Sequence, residues 1–247
     1  MKKIWFTRGL EWLYPPKCLL CGELLPLEKA ERELCTRCKE EMPWITQLIC
    51  VQCGRPLLSG EEMRCERCRQ SAFVFDRAIS VFIYEEIHQS IKRFKFRECK
   101  HDAVGLGKIM ANYLKTFYAD LLEETDYLIA VPMHHKKQQK RGFNQSILLA
   151  KEIEKHTGIP CVEDCLVRTR NTVPQSKLTP TQRRVNIQNA FLLKDKEKLQ
   201  EKNIVLVDDI FTTGATVNEC TTILYQGGAK KVTVFCLSIA VESHRSV

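Results

Sequence analysis

The sequence predicts an α/β fold, a parallel sheet flanked by helices, with a small metal-binding domain in front of it. Three observations predict it. Apolar strand patterns recur near residues 127, 203 and 232 with helical segments between them, as a parallel sheet with crossover helices requires. The stretch from Val205 to Thr216 reads as strand, acidic pair, hydroxyl- and glycine-rich turn, then helix. Eight of the thirteen cysteines fall into four Cys-x-x-Cys pairs before residue 69. A chain of 247 residues holds one α/β domain plus something small, here divided at 1–72 and 73–247.

The cysteine pairs are Cys18/Cys21, Cys35/Cys38, Cys50/Cys53 and Cys65/Cys68, with thirteen residues between the first two and eleven between the last two. Each set offers four thiolates on two short knuckles, the donor set and spacing of a structural tetrahedral zinc site, so two Zn²⁺ ions are expected. A disulfide framework is the competing reading and fits a reducing compartment badly. Spacing leaves crossed pairing between the sets open. Cys99, Cys161, Cys165, Cys220 and Cys236 are scattered and read as small buried hydrophobes.

Formal net charge is +8; eight thiolates and two Zn²⁺ ions would leave about +4. The useful question is therefore where the cations cluster. No apolar run approaches the length of a membrane span. Met1 to Phe6 starts like a signal peptide but soon meets Arg8 and Glu11, so a cytoplasmic protein is expected.

Arg77 to Tyr84 alternates as a strand does, and Glu85 to Phe96 reads helical. Lys92, Arg93, Lys95 and Arg97 interleave with Phe94 and Phe96, a pattern able to contact nucleic acid. The plainer reading is an amphipathic helix with Ile91 and Phe94 in the core. A second helix is expected from Asp102 to Glu123, its apolar residues recurring at three to four. A buried strand, Tyr127 to Val131, leads to Pro132-Met133-His134-His135. Lys136, Lys137, Lys140 and Arg141 follow without an acidic residue, as an anion pocket or a solvated basic loop would have it. Asn144 is a plausible N-cap for a helix from Gln145 to His156.

Leu166 to Phe191 holds Arg168, Arg170, Lys177, Arg183 and Arg184 and no acidic residue. Its Thr, Pro, Gln and Ser content predicts a long irregular loop, a lid or a mobile basic hairpin. Strands are expected at Ala190 to Leu193, Asn203 to Val207 and Val232 to Leu237. After the strand at 203, Asp208 and Asp209 precede Thr212-Thr213-Gly214-Ala215-Thr216 and a helix from Val217 to Gln226. Backbone N–H groups of Thr213 to Thr216 at a helix start make a phosphate site, and adjacent carboxylates can accept hydrogen bonds from a vicinal diol. Together they describe a ribose 5-phosphate. A helix start capped by Thr212 or Thr213 explains one threonine but not the acidic pair. It is not a Walker loop, since no Gly-Lys-Ser/Thr follows the strand.

This stretch resembles the signature by which type I phosphoribosyltransferases bind 5-phosphoribosyl diphosphate (PRPP). The resemblance implies roles residue by residue. Asp208 and Asp209 would face the ribose and stabilise positive charge developing on it, while Thr212, Thr213, Gly214, Ala215 and Thr216 hold the 5′-phosphate. Pro132, Met133 and His134 would form the pyrophosphate loop, with Arg141 beside it. Gln175, Ser176 and Arg184, then Lys177 and Arg183, would belong to a lid. Mg²⁺ would bridge pyrophosphate and ribose hydroxyls, held mainly by ligand oxygens. Catalysis, where it occurs, would replace pyrophosphate at C1 by a nitrogen nucleophile of unknown identity.

Arg141-Gly142-Phe143-Asn144-Gln145, the cysteine ribbons and Phe94-Lys95-Phe96-Arg97 together resemble the ComF family of competence proteins, which act in DNA uptake during natural transformation. That resemblance adds single-stranded DNA and an uptake helicase as expected partners. Three readings stay open: a phosphoribosyltransferase, a non-catalytic adapter for DNA and helicase, and a PRPP-sensing regulator of nucleotide metabolism. The last is weakest, since no operator-reading helix accompanies the turn.

Overall fold

A computed structural model describes residues 16–26, 33–46, 48–57, 63–95, 101–173 and 178–241. The core is a four-stranded parallel sheet of order β1-β6-β5-β2, from Arg77–Ile83 (β1), Tyr127–Ala130 (β2), Asn203–Phe211 (β5) and Lys231–Ile239 (β6). β3 (Leu166–Arg168) and β4 (Phe191–Leu193) form a separate antiparallel pair. The helices are α1 (Thr36–Glu40), α2 (Glu66–Gln70), α3 (Tyr84–Phe94), α4 (Asp102–Phe117), α5 (Ala119–Glu124), α6 (His135–Arg141), α7 (Gln145–Thr157), α8 (Pro180–Ile187) and α9 (Ala215–Gln226).

Successive side chains of a strand point to opposite faces, and β5 divides the core accordingly. Val205 and Val207 join Leu128, Phe235, Ile91 and Leu106 on the face covered by α3, α4 and α7. Ile204 and Leu206 join Ile129, Val234, Val217 and Leu224 on the face covered by α9 and the β3–β4 pair. Both faces are dry, which is why these strands read as continuous apolar runs.

The two ribbons straddle the β1 edge. Cys18, Leu19 and Leu20 belong to the first core, and Cys50, Cys53 and Cys68 to the second. The chain between the ribbons and the second ribbon itself bond directly to β1: Ile45 N–H donates to Val81 O at 2.9 Å, and Ala78 N–H to Gln52 O at 2.8 Å. An exposed sheet edge is thereby closed.

The strand expected over 77–84 forms as β1, buried along nearly its whole length. Three expectations are corrected. The helix expected over 102–123 breaks at Tyr118 (φ −143°) into α4 and α5. β5 runs on through Asp208 and Asp209 to Phe211, paired with β6 to the end, so the acidic pair lies within the strand. The loop expected over 166–191 contains β3 and α8, while the strand expected over 190–193 forms as β4. A capping box starts α8, with Thr179 Oγ1 accepting from Gln182 N–H and the Gln182 side chain accepting from Thr179 N–H. No helix among the described residues is long and apolar enough to cross a membrane. Met1 to Phe6 and Cys99 lie outside the described residues; Cys165, Cys220 and Cys236 are buried, and Cys161 partly so.

Candidate functional site

At the carboxyl ends of β2 and β5 lies a cleft of about 870 Å³, where a parallel sheet presents its ligand site. Pro132 and Met133 after β2 form one wall, and Asp208, Asp209, Thr212 and Thr216 another. Lys95, Lys137, Lys140, Arg141, Arg168 and Arg183 bring positive charge to it.

The Arg141–Ser146 segment acquires a physical meaning here. α6 ends at Gly142, and Phe143 packs on Phe94 with ring centroids 6.1 Å apart. The Asn144 side chain donates to Val131 O at 3.0 Å and accepts from Ser146 N–H at 3.1 Å, capping α7 while gripping the end of the β2 segment. Arg141 donates to Gln145 Oε1 at 2.7 Å. Ser146 Oγ donates to Asp208 Oδ1 at 2.9 Å, linking the start of α7 to the acidic pair.

Asp208 also accepts from Asp209 N–H at 2.9 Å. Burial and the neighbouring Asp209 carboxylate nevertheless push its carboxyl up to about 7, against those hydrogen bonds. Lys95 pairs with Asp209 at 3.2 Å.

Opposite the acids, cations are held in a poorly solvated place. Burial lowers Arg168, Arg141 and Lys137 alike, and Lys137 is lowered further by Arg168 and Arg141. Lys137 donates to Thr172 O at 2.8 Å, and Arg168 bonds Thr172 Oγ1 while lying over the Phe191 ring. Arg168 Nε and Gln145 Nε2 are buried without a hydrogen-bond partner. Buried orphan donors beside crowded like charges are costly unless an anion satisfies both.

The turn after β5 is built on Gly214, whose φ of 75° suits glycine and whose added Cβ would lie 2.7 Å from Phe73 Cε1. Thr213 is buried, its Oγ1 accepting from Ala215 N–H at 3.4 Å. Thr212 and Thr216 line the cleft; Thr213, Gly214 and Ala215 shape the turn behind it.

His134 follows Pro132 and Met133 in the loop but does not line the cleft; it is buried as the N-cap of α6, its Nδ1 accepting from Lys136 N–H at 3.3 Å. Burial, then the adjacent His135, lowers its pKa. The described part of the basic run, 92–95, does not form one surface: Lys92 is exposed, but Arg93 is tied to Asp102 at 2.9 Å and to Leu19 O at 2.9 Å, and Lys95 turns into the cleft. Arg97, Gln175, Ser176, Lys177 and the Arg184 side chain lie outside the described residues. Lys137 was expected at an anion pocket and Lys95 at nucleic acid; Gln145, Ser146 and Arg168 were not among the named ligand-holding residues. The legible signal for Gln145 and Ser146 was their place at a helix start, where N–H groups face a ligand.

The other candidate centres are the ribbons. Cys18, Cys21, Cys35 and Cys38 form one cluster and Cys50, Cys53, Cys65 and Cys68 the other, each with all Sγ atoms within 4.8 Å of one another, so the sets are not crossed. Cys21–Cys35 and Cys53–Cys65 stand 3.7 Å apart. A tetrahedron with Zn–S bonds of about 2.3 Å has edges of about 3.8 Å, so both clusters fit zinc with no ligand position left over.

Fold and ribbons together define a class: a parallel α/β protein carrying a double zinc ribbon. Residues 9–69 match the family model of the double zinc ribbon domain. Over 227 residues, 90% of this chain and 96% of the relative, the sequence is 31% identical to DNA utilization protein YhgH of Escherichia coli O157:H7. Over 235 residues, 89% of this chain and 93% of the relative, it is 30% identical to competence protein ComFC of Bacillus subtilis strain 168. The chain belongs to this ComF family of competence and DNA utilization proteins. Among solved structures, glutamine PRPP amidotransferase from B. subtilis matches 55% of this chain and 26% of its own at 26% identity, with a TM-score of 0.37.

Proposed function

We propose that the cleft binds PRPP, and that this binding serves a role in DNA uptake or utilisation of the kind its relatives' names record. One observation carries the reading. A half-buried acidic pair adjoining a threonine turn faces half-buried cations and two buried orphan donors across a single cleft. PRPP has that sequence of groups, a monophosphate, then a diol, then a diphosphate. The turn at Thr212–Thr216 takes the 5′-phosphate, Asp208 and Asp209 take the ribose hydroxyls, and Lys137, Arg141 and Arg168 take the pyrophosphate, all by charge-assisted bonds.

Mg²⁺ fits such a site, since it is commonly held by one or two carboxylates together with substrate phosphates, and it would neutralise the diphosphate. Asp208 binds the ribose as a carboxylate, so the ligand should pull its proton off and lower its pKa. Ser146 keeps that carboxylate aimed. Tyr84, Ile210 and Ala240 line the remaining part of the cleft, which leaves room for an acceptor.

Titration calorimetry of Mg–PRPP into the zinc-loaded protein and into a double Asp208→Asn, Asp209→Asn variant tests this. Saturable binding that the variant lacks is expected. A native protein that does not bind, or a variant that binds equally well, would sink the reading.

A further inference from the structure

We propose that Arg67 is a positioning residue through which the second four-cysteine cluster sets the affinity of the turn for phosphate. The proposal rests on the phosphate reading of Thr212–Thr216 given above.

Arg67 lies between Cys65 and Cys68, two ligands of that cluster, on the five-residue helix α2. Its Nη1 donates to Thr212 O at 3.0 Å. The carbonyl of Thr212 and the N–H of Thr213 belong to one peptide plane and point in opposite directions. Holding that carbonyl toward the ribbon therefore fixes the Thr213 N–H pointing away from it. A phosphate-holding turn depends on where its N–H groups aim, so Arg67 controls the group that matters without touching the ligand.

The rest of the turn is backed by the same part of the chain. Arg55, two residues past Cys53, donates through Nη2 to Ala240 O at 3.0 Å, and Ala240 N–H donates to Phe211 O at 2.9 Å. Phe73 stacks on Phe75 at 4.9 Å and meets Phe211 edge-on at 6.3 Å, forming the wall against which Gly214 sits. Val74 N–H donates to Asn218 Oδ1 in the first turn of α9 at 2.8 Å. The second ribbon also approaches β1 closely, since a Cβ on Gly54 would come within 2.5 Å of Ala78 O.

A helix as short as α2 does not persist alone; its shape depends on the metal that joins Cys65 and Cys68 to Cys50 and Cys53. Emptying the cluster would free the Arg67 backbone and release the Thr212 carbonyl. Linkage is reciprocal, so phosphate bound at the turn should in return hold zinc in the second cluster and leave the first unaffected.

The test uses ribose 5-phosphate as the probe on the full, zinc-loaded chain, comparing native protein with Arg67→Met and Arg67→Lys. The Met variant should keep two zinc ions and still bind Mg–pyrophosphate, yet bind ribose 5-phosphate about tenfold more weakly, as loss of a charged hydrogen bond implies. The Lys variant should recover part of the loss. Zinc release to a chromogenic chelator gives a second readout: ribose 5-phosphate should slow one of two release phases in the native protein and neither in the Met variant. Equal ribose 5-phosphate affinity in native and zinc-loaded Met protein would overturn the proposal and spare the phosphate reading. So would a release profile that the probe does not alter in the native protein. A native protein that fails to bind ribose 5-phosphate would overturn both. Should the Met variant lose zinc on purification, the native release profile decides alone.

Discussion

The two ribbons use the same local device and do different things, because they dock on opposite faces of one sheet. The first bonds to helices: Ser90 Oγ donates to Leu20 O at 2.8 Å, Arg93 to Leu19 O, and Lys108 pairs with Glu33 at 3.1 Å. The second bonds to the turn after β5 and to the end of β6 through Arg67 and Arg55. Four cysteines around a metal make a rigid knuckle; what the knuckle supports depends on the face it covers.

Metal removal is the largest perturbation of that pair. Cysteines of both clusters sit in the two cores, and structural zinc contributes on the order of 10 kcal/mol to folding. Chelation is expected to abolish the cooperative melt of the sheet, read by circular dichroism, rather than to loosen only the residues before 72. A sheet that still melts cooperatively after chelation would make the ribbons dispensable appendages.

Asp208 comes next. Its folded carboxyl titrates near 7 against an ordinary 3.8, so the folded state holds the proton more tightly than the unfolded chain does. Stability should therefore fall as pH rises from about 4 to 7, by about 1.4 kcal/mol per unit of displacement, and stay low above that window. Asp208→Asn keeps an oxygen for Ser146 Oγ and Asp209 N–H while removing the charge. It should raise the melting temperature at pH 8, flatten the pH dependence and lose PRPP. An unchanged pH profile would contradict the buried-acid assignment.

Arg168→Met separates the cation end of the cleft from the turn. Mg–pyrophosphate affinity should drop roughly 30- to 100-fold, in line with removal of a desolvated charged partner, and ribose 5-phosphate affinity should change little. Equal losses for both ligands would mean the two ends are not distinct. The smallest effect is expected at the first ribbon. Arg93→Gln removes the partly exposed Asp102 pair and the bond to Leu19, lowering stability by about 1–2 kcal/mol while leaving ribose 5-phosphate affinity within twofold. An affinity loss there matching that of Arg67→Met would erase the functional difference between the ribbons.

Much of this was legible in the sequence for identifiable reasons. Asp208 to Thr216 is a local device, strand to turn to helix, and the cysteine spacings are local too, so both carried into the fold. β3 and α8 did not. A strand of three residues such as β3 has no measurable period, and its pairing joins Leu166 to Leu193 across the whole segment. Thr179-Pro180 with Gln182 was a readable helix start masked by the Thr, Pro and Gln content around it. Lys95 and Arg168 were legible as cations but not as cleft residues, since their direction is set by α3 packing and by the ring of Phe191. The direction of the His134 ring was not legible, because a loop position beside a pocket does not fix which way a ring points.

The two-ended cleft can be tested most directly by titrating Mg–pyrophosphate into protein saturated with ribose 5-phosphate, with PRPP as competitor for both. The two fragments should bind together, each at its own end, and PRPP should displace both at once. Mutual exclusion of the fragments, or a PRPP that displaces only one, would show that the turn and the cleft cations do not serve a single ligand.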